Sequence, residues 1–267
     1  MADKTIKNPL RKRILRDIRK EKGKYISIFL FLTFMISIVS GMLVTSLSMM
    51  HTYDDGIETY KLEDGHFSTN SEISVADLQK IADQTDSGTA KATIYKQYFY
   101  NFDYTFEGNS NYSIRLYENR EALNTYSVFE GHAPEKDGEL AIDRLFAENN
   151  NLKIGDTLTF DGKDLTICGT VAVPDYSCLF ENNSDSMFSA TTFTTGFVTA
   201  DYFKEFSESK LTYSFAYHFS DRSLDDRASY DASTNLMNTL SKQLAPQGNY
   251  LTCLLYTSPS PRDKRQS

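Results

Sequence analysis

The sequence has no tryptophan and few of the residues that usually form catalytic or metal centres: three cysteines and four histidines among 267 residues. The histidines, His51, His66, His132 and His218, are far apart, and none stands in an H-E-x-x-H or cysteine-paired arrangement. The sequence also lacks a G-x-S-x-G elbow and a P-loop. We therefore expect no catalytic, cofactor or metal site and no enzyme activity, although folding could still bring two carboxylates together.

Cysteine is also scarce in the part of the chain that we expect to fold. Cys168 and Cys178 could close a short loop as a disulfide outside the cytoplasm. Alternatively they are free or buried thiols, and Cys168 would then pack as a small hydrophobe in its apolar strand. We expect free or buried thiols.

Charge is missing from one long run. Residues 25–50, YISIFLFLTFMISIVSGMLVTSLSMM, contain no charged side chain. A helix needs roughly 20 apolar residues to cross a bilayer, so this run is long enough. The apolar part of a secretory signal peptide is only about 7–15 residues long and precedes a small-residue cleavage site, which SLSMMHTYDD lacks. The run predicts an uncleaved transmembrane helix.

The charges on either side of this run differ in sign. Residues 1–24 hold ten lysines and arginines against three acidic residues, whereas residues 25–252 carry a net charge of −17. The positive-inside rule places residues 1–24 in the cytoplasm and residues 51 onward outside the plasma membrane. The one basic patch therefore faces membrane lipid, and we expect no nucleic-acid partner.

Two finer patterns concern the membrane. In residues 1–24, NPLRKRILRDIRKEKGK predicts an amphipathic helix, with Asn8 as cap, lying on the inner leaflet. This helix either touches a cytoplasmic partner or acts only as a topology signal. We favour the topology signal. Ser37, Gly41 and Thr45 recur every four residues; the stripe either lets another membrane helix pack closely or is coincidental.

Residues 51–252 alternate helix and strand patterns. SVADLQKIADQ predicts a helix capped by Ser74, GELAID a strand that leads into the helix RLFAENN, and Asp225 to Leu244 a long polar helix. Further strands are predicted at Thr93–Phe106, Tyr112–Tyr117 and LTYSFAYHF. This order predicts an α+β fold: one N-terminal transmembrane helix followed by a mixed, largely antiparallel extracytoplasmic domain.

The clearest hairpin spans Thr157–Val173. Asp161 and Gly162 supply a tight turn. Leu165, Ile167 and Val171 are predicted to form one buried face of its second strand.

Three phrases between residues 129 and 177 resemble the extracytoplasmic core domain of FtsX-like permeases, the membrane subunits of bacterial ABC transporters that include the MacB type. These are FEGHAPEKDGELAID, then NLKIGDTL, then VPDY, preceded by a similar basic N-terminus and long span. The matching positions include Glu130, Gly131, Pro134, Gly138, Glu139, Asp143, Gly155, Asp156, Pro174, Asp175 and Tyr176. We interpret these residues as structural, since glycine and aspartate serve as turn formers.

The resemblance implies a mechanical function. A separate cytoplasmic P-loop ATPase would hydrolyse ATP, and a dimer of permease subunits would relay its movement to the extracytoplasmic domain. Family substrates range from lipoproteins to peptides and drugs, and some members only transmit force. The family also has three further membrane helices, which this sequence does not contain, so we expect an N-terminal fragment. The alternative is the sensor domain of a receptor such as a histidine kinase, or a membrane-anchored binding module.

Residues 253–267, CLLYTSPSPRDKRQS, do not continue this pattern. CLLYTSPSPRD resembles a transposon-end sequencing adapter translated in frame, and we expect this tail to be non-native. A genuine Pro/Ser-rich linker is the alternative.

Overall fold

The computed structural model describes residues 20–85, 91–106, 109–176, 190–221 and 224–254. The chain divides into two units, residues 1–55 and residues 56–267. The predicted basic helix of residues 1–24 falls almost wholly outside the described residues, as does Cys178.

A single long helix, α1 (Lys22–Thr59), contains the uncharged run. Its segment Lys22–Ser46 has a mean hydropathy of 2.3 and is long and apolar enough to cross a membrane. The expected helix is confirmed, and it extends beyond residues 25–50 at both ends. Ser37, Gly41 and Thr45 are exposed along it, and a Cβ at Gly41 would contact nothing within 4 Å, so the packing stripe stays a prediction.

The second unit is built on one sheet of eleven strands. They are β1 (Gly65–Thr69), β2 (Ala92–Lys96), β3 (Phe99–Phe106), β4 (Asn109–Glu118), β5 (Ser127–Gly131), β6 (Glu139–Asp143), β7 (Thr157–Phe160), β8 (Lys163–Ala172), β9 (Phe193–Val198), β10 (Leu211–Phe219) and β11 (Leu251–Leu254). The last strand includes Cys253 and Leu254, the first two residues of the tail that we expect to be non-native.

The sheet order is β11-β1-β10-β3-β4-β9-β6-β8-β5, with β2 on β10 and β7 on β8. The pairs β4–β9 and β6–β8 are parallel, and the other described pairs are antiparallel. Four helices accompany the strands: α2 (Val75–Asp83), α3 (Arg144–Asn149), α4 (Ala200–Phe203) and α5 (Asp226–Leu244). The predicted α+β class with a mixed, largely antiparallel sheet is confirmed.

Side-chain caps explain where these helices begin. Ser74 accepts a hydrogen bond from the amide of Asp77, and Asp143, Thr199 and Asp225 cap α3, α4 and α5 in the same way. Each cap satisfies an amide that the first helical turn leaves without a partner.

The expected single strand at Thr93–Phe106 is wrong. The structure has two strands, β2 and β3, separated at Gln97 and Tyr98. Both pair with β10, β2 at residues 215–219 and β3 at residues 211–212. The uninterrupted aromatic and β-branched composition concealed the break, because tertiary pairing with one long partner decides where each segment ends.

The predicted hairpin is confirmed in β7 and β8, with Asp161 and Gly162 at φ values of 52° and 74°. Its buried face is only partly as expected. Leu165 and Ile167 enter the main core, whereas Val171 enters a second core. The cause is a register shift against β6, where Leu140 faces Ile167 and Ala141 faces Gly169, so that Cys168 is an extra residue.

The sheet separates two hydrophobic cores. Neighbouring residues such as Leu116 and Tyr117 in β4 enter different cores, since successive strand side chains point to opposite faces. The main core contains most of the buried aromatic rings and the inner faces of α2 and α5. The second core is smaller and contains Tyr117, Ala141, Cys168, Val171, Val173 and Phe197.

We predict that Gly131→Ala destabilises the second unit much more than Gly162→Ala. Both glycines have a positive φ, which costs a side chain about 1–2 kcal/mol. A Cβ at Gly131 would also lie 2.2 Å from the carbonyl oxygen of Cys168, whereas one at Gly162 would meet nothing within 4 Å. Denaturant unfolding followed by tyrosine fluorescence checks the difference, and equal losses would contradict the close approach of β5 to β8.

Candidate functional site

The residues that directly follow α1 are held by the loop between β4 and β5. The amides of Asn124 and Thr125 donate to the carbonyls of Lys61 and Tyr60 at 3.0 and 2.9 Å. The Asn124 side chain accepts from the amide of Glu63 at 2.9 Å and donates to the Glu63 carboxylate. Asn124 is fully buried and adopts a φ of 50°, a conformation that asparagine tolerates better than most residues. The helix exit is thus fixed by backbone and side-chain contacts together.

Glu63 forms an ion pair with His66, the second residue of β1. Nδ1 of His66 lies 2.5 Å from Oε1 of Glu63. Asp64, the residue after Glu63, binds β10. Its carboxylate accepts a hydrogen bond from the amide of Phe219 at 2.7 Å and lies 3.0 Å from Nδ1 of His218. The two carboxylates therefore anchor the chain at two places, Glu63 at the loop and Asp64 at β10.

A second ion pair lies in the interior beside the first. Nη1 of Arg120 is 2.6 Å from Oδ2 of Asp175, and the two side chains are only 5% and 10% exposed. The guanidinium carbon of Arg120 also lies 4.0 Å from the ring centroid of Tyr117. Asp175 belongs to a 3₁₀ turn, Pro174–Tyr176, that follows β8. We call Glu63, His66, Arg120, Asn124 and Asp175 the buried charge network.

Two tyrosines extend the network across the second face of the sheet. The hydroxyls of Tyr117 and Tyr176 lie 2.8 Å apart, and Arg115 donates to the Tyr176 hydroxyl at 2.8 Å. Burial raises the pKa of Tyr117 well above its ordinary value. The Tyr117 phenol therefore stays neutral and acts as a hydrogen-bonding group.

Burial and pairing shift the pKa values of the network in opposite directions. Burial disfavours both charges of the Glu63–His66 pair, but their mutual hydrogen bond and attraction prevail, so the pKa of Glu63 is lowered and that of His66 is raised. Burial raises the pKa of Asp175, and the charge of Arg120 reverses part of that increase. Each charge depends on its partner, because a lone ion would be costly in this interior.

The arrangement links three segments that are distant in sequence: the helix exit at residues 60–66, the loop at residues 119–125 and the turn at residues 174–176. A cleft of about 480 Å³ lies beside it, lined in part by Gln97, Tyr117 and Arg120. Displacement of any one segment would break an ion pair or a buried hydrogen bond.

The structure brings only two of the family-motif residues, Asp175 and Tyr176, into this network. Most of the others support the strands around β8. The backbone carbonyls of Gly138 and Asp156 accept hydrogen bonds from the amides of Thr166 and Ile167, respectively. The amide of Gly155 donates to the carbonyl of Ile167. Asp143 caps α3, Pro134 is buried, Glu130 and Gly131 lie in β5, and Pro174 begins the 3₁₀ turn.

Sequence reasoning missed Glu63, His66, Arg120 and Asn124. Each lies in a segment with other polar residues and no recognisable motif, so nothing in the sequence singles it out. Asn124 adopts a φ of 50°, and because asparagine is enriched at such positions its residue type was a weak local signal.

A separate cluster contains donor atoms that could hold a metal. The side chains of His132, Glu139 and Cys168 place one ligand atom each within 4.8 Å of one another. Cys168 is a free, buried thiol, as expected, and burial raises its pKa to about 11. This cluster could not be predicted from the sequence, because its members come from different segments and lack the usual ligand spacing.

Comparisons with known proteins leave the family of the chain open. No family model and no curated protein matches it. One similar solved structure is the crystal structure of the extracellular domain of noncanonic ABC-type transporter YknZ from Gram-positive bacteria. It is 9% identical, the match covers 71% of this chain and 98% of that chain, and the TM-score is 0.37. A likeness at this level establishes no shared function.

We predict that Arg120→Met and Asp175→Asn each lower the free energy of unfolding by about 3–5 kcal/mol, because each leaves a buried partner without its counter-charge. The double variant Arg120→Met/Asp175→Asn should lose less than the sum of the two. Lys204→Met and Asp201→Asn are matched controls from an exposed ion pair, with side chains 68% and 88% exposed, and should change stability by under about 0.5 kcal/mol. Denaturant unfolding measures all of these, and similar losses in both pairs would contradict the importance of burial.

The Glu63–His66 pair predicts a pH-dependent stability. The raised pKa of His66 gives stabilisation that is complete below its ordinary value of 6.5 and is lost as pH rises through the folded-state value. The lowered pKa of Glu63 gives stabilisation that is complete above 4.5 and is lost as pH falls through its folded-state value. The loss of thermal stability in His66→Gln should therefore be largest between pH 4.5 and 6.5 and shrink at higher pH. In a Glu63→Gln background the same substitution should lose this dependence; if it does not, the pair is not its source.

Proposed function

We propose that the chain is part of a membrane permease subunit of an ABC transporter, with an FtsX-like organisation and a MacB-like extracytoplasmic domain. In this proposal residues 25–50 span the plasma membrane, residues 1–24 lie in the cytoplasm on the inner leaflet, and residues 51–252 lie outside. The subunit does not catalyse a reaction itself. It couples ATP hydrolysis by a separate P-loop ATPase to movement of the extracytoplasmic domain.

Charge and hydropathy support this placement. The ten basic residues before the span favour a cytoplasmic N-terminus, and the strongly acidic remainder suits open solvent. The helix α1 is long enough to cross the membrane and continue beyond it, since 38 residues at 1.5 Å per residue exceed the roughly 20 that a bilayer requires.

The buried charge network carries the functional part of the proposal. The chain that leaves α1 is clamped by Asn124, and Glu63 joins it to the interior of the second unit. Movement delivered to this segment therefore reaches the loop at residues 119–125 and, through Arg120, the turn that contains Asp175. Packed, charge-paired elements of this kind transmit displacement better than a flexible linker would.

The proposal also names partners. A cytoplasmic ATPase supplies the energy, a second permease subunit completes a dimer, and lipid surrounds α1. Ser37, Gly41 and Thr45 offer the dimer a face on which two helices can approach closely.

The test uses the natural full-length gene, co-expressed with the P-loop ATPase encoded beside it. We expect the two proteins to copurify, and spin labels at Ser209→Cys, an exposed position, to report a change in distance between two subunits when ATP replaces ADP. An ATPase variant that lacks its P-loop lysine is the matched control; it should still copurify but give no ATP-dependent change.

Two results would overturn the proposal. One is that no ATPase copurifies although both proteins are folded and membrane-bound. The other is that the gene continues with a single span and a kinase-like histidine box, which would indicate a receptor.

A further inference from the structure

Three side chains with different donor atoms meet beside β8, away from the buried charge network. His132 directly follows β5, Glu139 begins β6, and Cys168 lies in β8. Nδ1 of His132 is 4.0 Å from Oε2 of Glu139, and the sulfur of Cys168 lies within 4.8 Å of both. An imidazole, a carboxylate and a thiol thus come from three separate segments, one just after β5 and the others in β6 and β8.

The backbone holds these donors in place through two glycines. At Gly131 a Cβ would lie 2.2 Å from the carbonyl oxygen of Cys168, and at Gly169 a Cβ would lie 2.4 Å from that of His132. Only residues without a Cβ permit this approach of β5 to β8. The amide of His132 then donates to the carbonyl of Cys168 at 3.2 Å.

The other two donors are positioned as well. The Glu139 carboxylate accepts from the amides of Glu135 and Lys136 at 2.9 and 3.1 Å, which orients it toward His132. Cys168 is the extra residue in the register of β6 with β8, and bulges of this kind redirect a side chain. Second contacts that orient a ligand are typical of protein metal sites.

We propose that His132, Glu139 and Cys168 bind a zinc ion. Thiolate, imidazole and carboxylate are the three ligand types that zinc takes in proteins, with bonds of roughly 2.0–2.3 Å that place ligand atoms about 3.5 Å apart in a tetrahedron. Zinc binding would draw the donor atoms together from their present separations of up to 4.8 Å. Zinc replaces the thiol proton of Cys168, which passes to solvent. Nδ1 of His132 gives up its 2.8 Å hydrogen bond to the carbonyl of Ala133, and the neutral ring changes tautomer, so that its proton moves through solvent from Nδ1 to Nε2 and leaves Nδ1 free to bind the metal.

The bound ion would crosslink three segments of the chain and keep one coordination position open for water. It ties the end of β5 to β6 and β8, at the edge of the sheet where β5 is the last strand. The His132 side chain is 51% exposed, whereas Cys168 is buried, so the ion enters from the solvent side and water completes its coordination.

Zinc titration of the metal-free full chain in detergent, in competition with a chromophoric chelator, tests the site. We expect one zinc ion per chain and a higher unfolding temperature with zinc, because a ligand that binds only the folded state stabilises it. His132→Ala, Glu139→Gln and Cys168→Ser should each weaken binding by at least about 100-fold, the upper end of what loss of an orienting contact alone costs. Cys178→Ser and His51→Gln are matched controls that should bind as the unaltered protein does.

Cobalt provides a measurement that does not depend on the variants' folding. With Co²⁺ in place of Zn²⁺, the unaltered protein and a Cys178→Ser/Cys253→Ser variant should both show thiolate-to-cobalt charge-transfer absorption. Absence of this band, absence of stoichiometric zinc binding, or equal weakening in cluster and control variants would each overturn the proposal.

Discussion

The ion pair between Arg120 and Asp175 is the constraint on which the second unit depends. It lies in the interior with Glu63 and His66 beside it, and a charge there is stable only while its partner stays in place. The pair fixes the loop after β4 against the turn after β8, and Asn124 fixes the same loop against the exit of α1. Three segments distant in sequence thus keep one relative arrangement.

The sheet makes this arrangement possible. Its long strand β10 pairs with β1 on one side and with β2 and then β3 on the other. The segment after α1 enters the sheet at Gly65, opposite Tyr217, and the break at Gln97 lies further along β10, where the Gln97 amide donates to the carbonyl of Ser214. The Gln97 side chain accepts from Asn124 at 3.2 Å, which joins that break to the network. Aromatic residues such as Tyr100 and Phe102 fill the main core and leave the polar residues on the opposite side.

Local sequence patterns predicted the elements with strong local rules. Ser74 and Asp225 begin helices because their side chains satisfy free amides, and Asp161–Gly162 forms a tight hairpin because both residues tolerate a positive φ. Patterns failed where distant partners decide the outcome. The break at Gln97 depends on β10, and the side taken by Val171 depends on the extra residue in the pairing of β8 with β6.

The uncharged helix, the opposite charges on its two sides, the α+β class and the main turns could be predicted because each follows from composition or from neighbours a few positions away. Which polar residues meet could be learned from the folded chain alone. Glu63, Arg120 and Asp175 lie more than fifty positions apart in the sequence. His132 meets Cys168 only because Gly131 and Gly169 let β5 and β8 approach closely. Such contacts depend on the path of the whole chain, which no local spacing records.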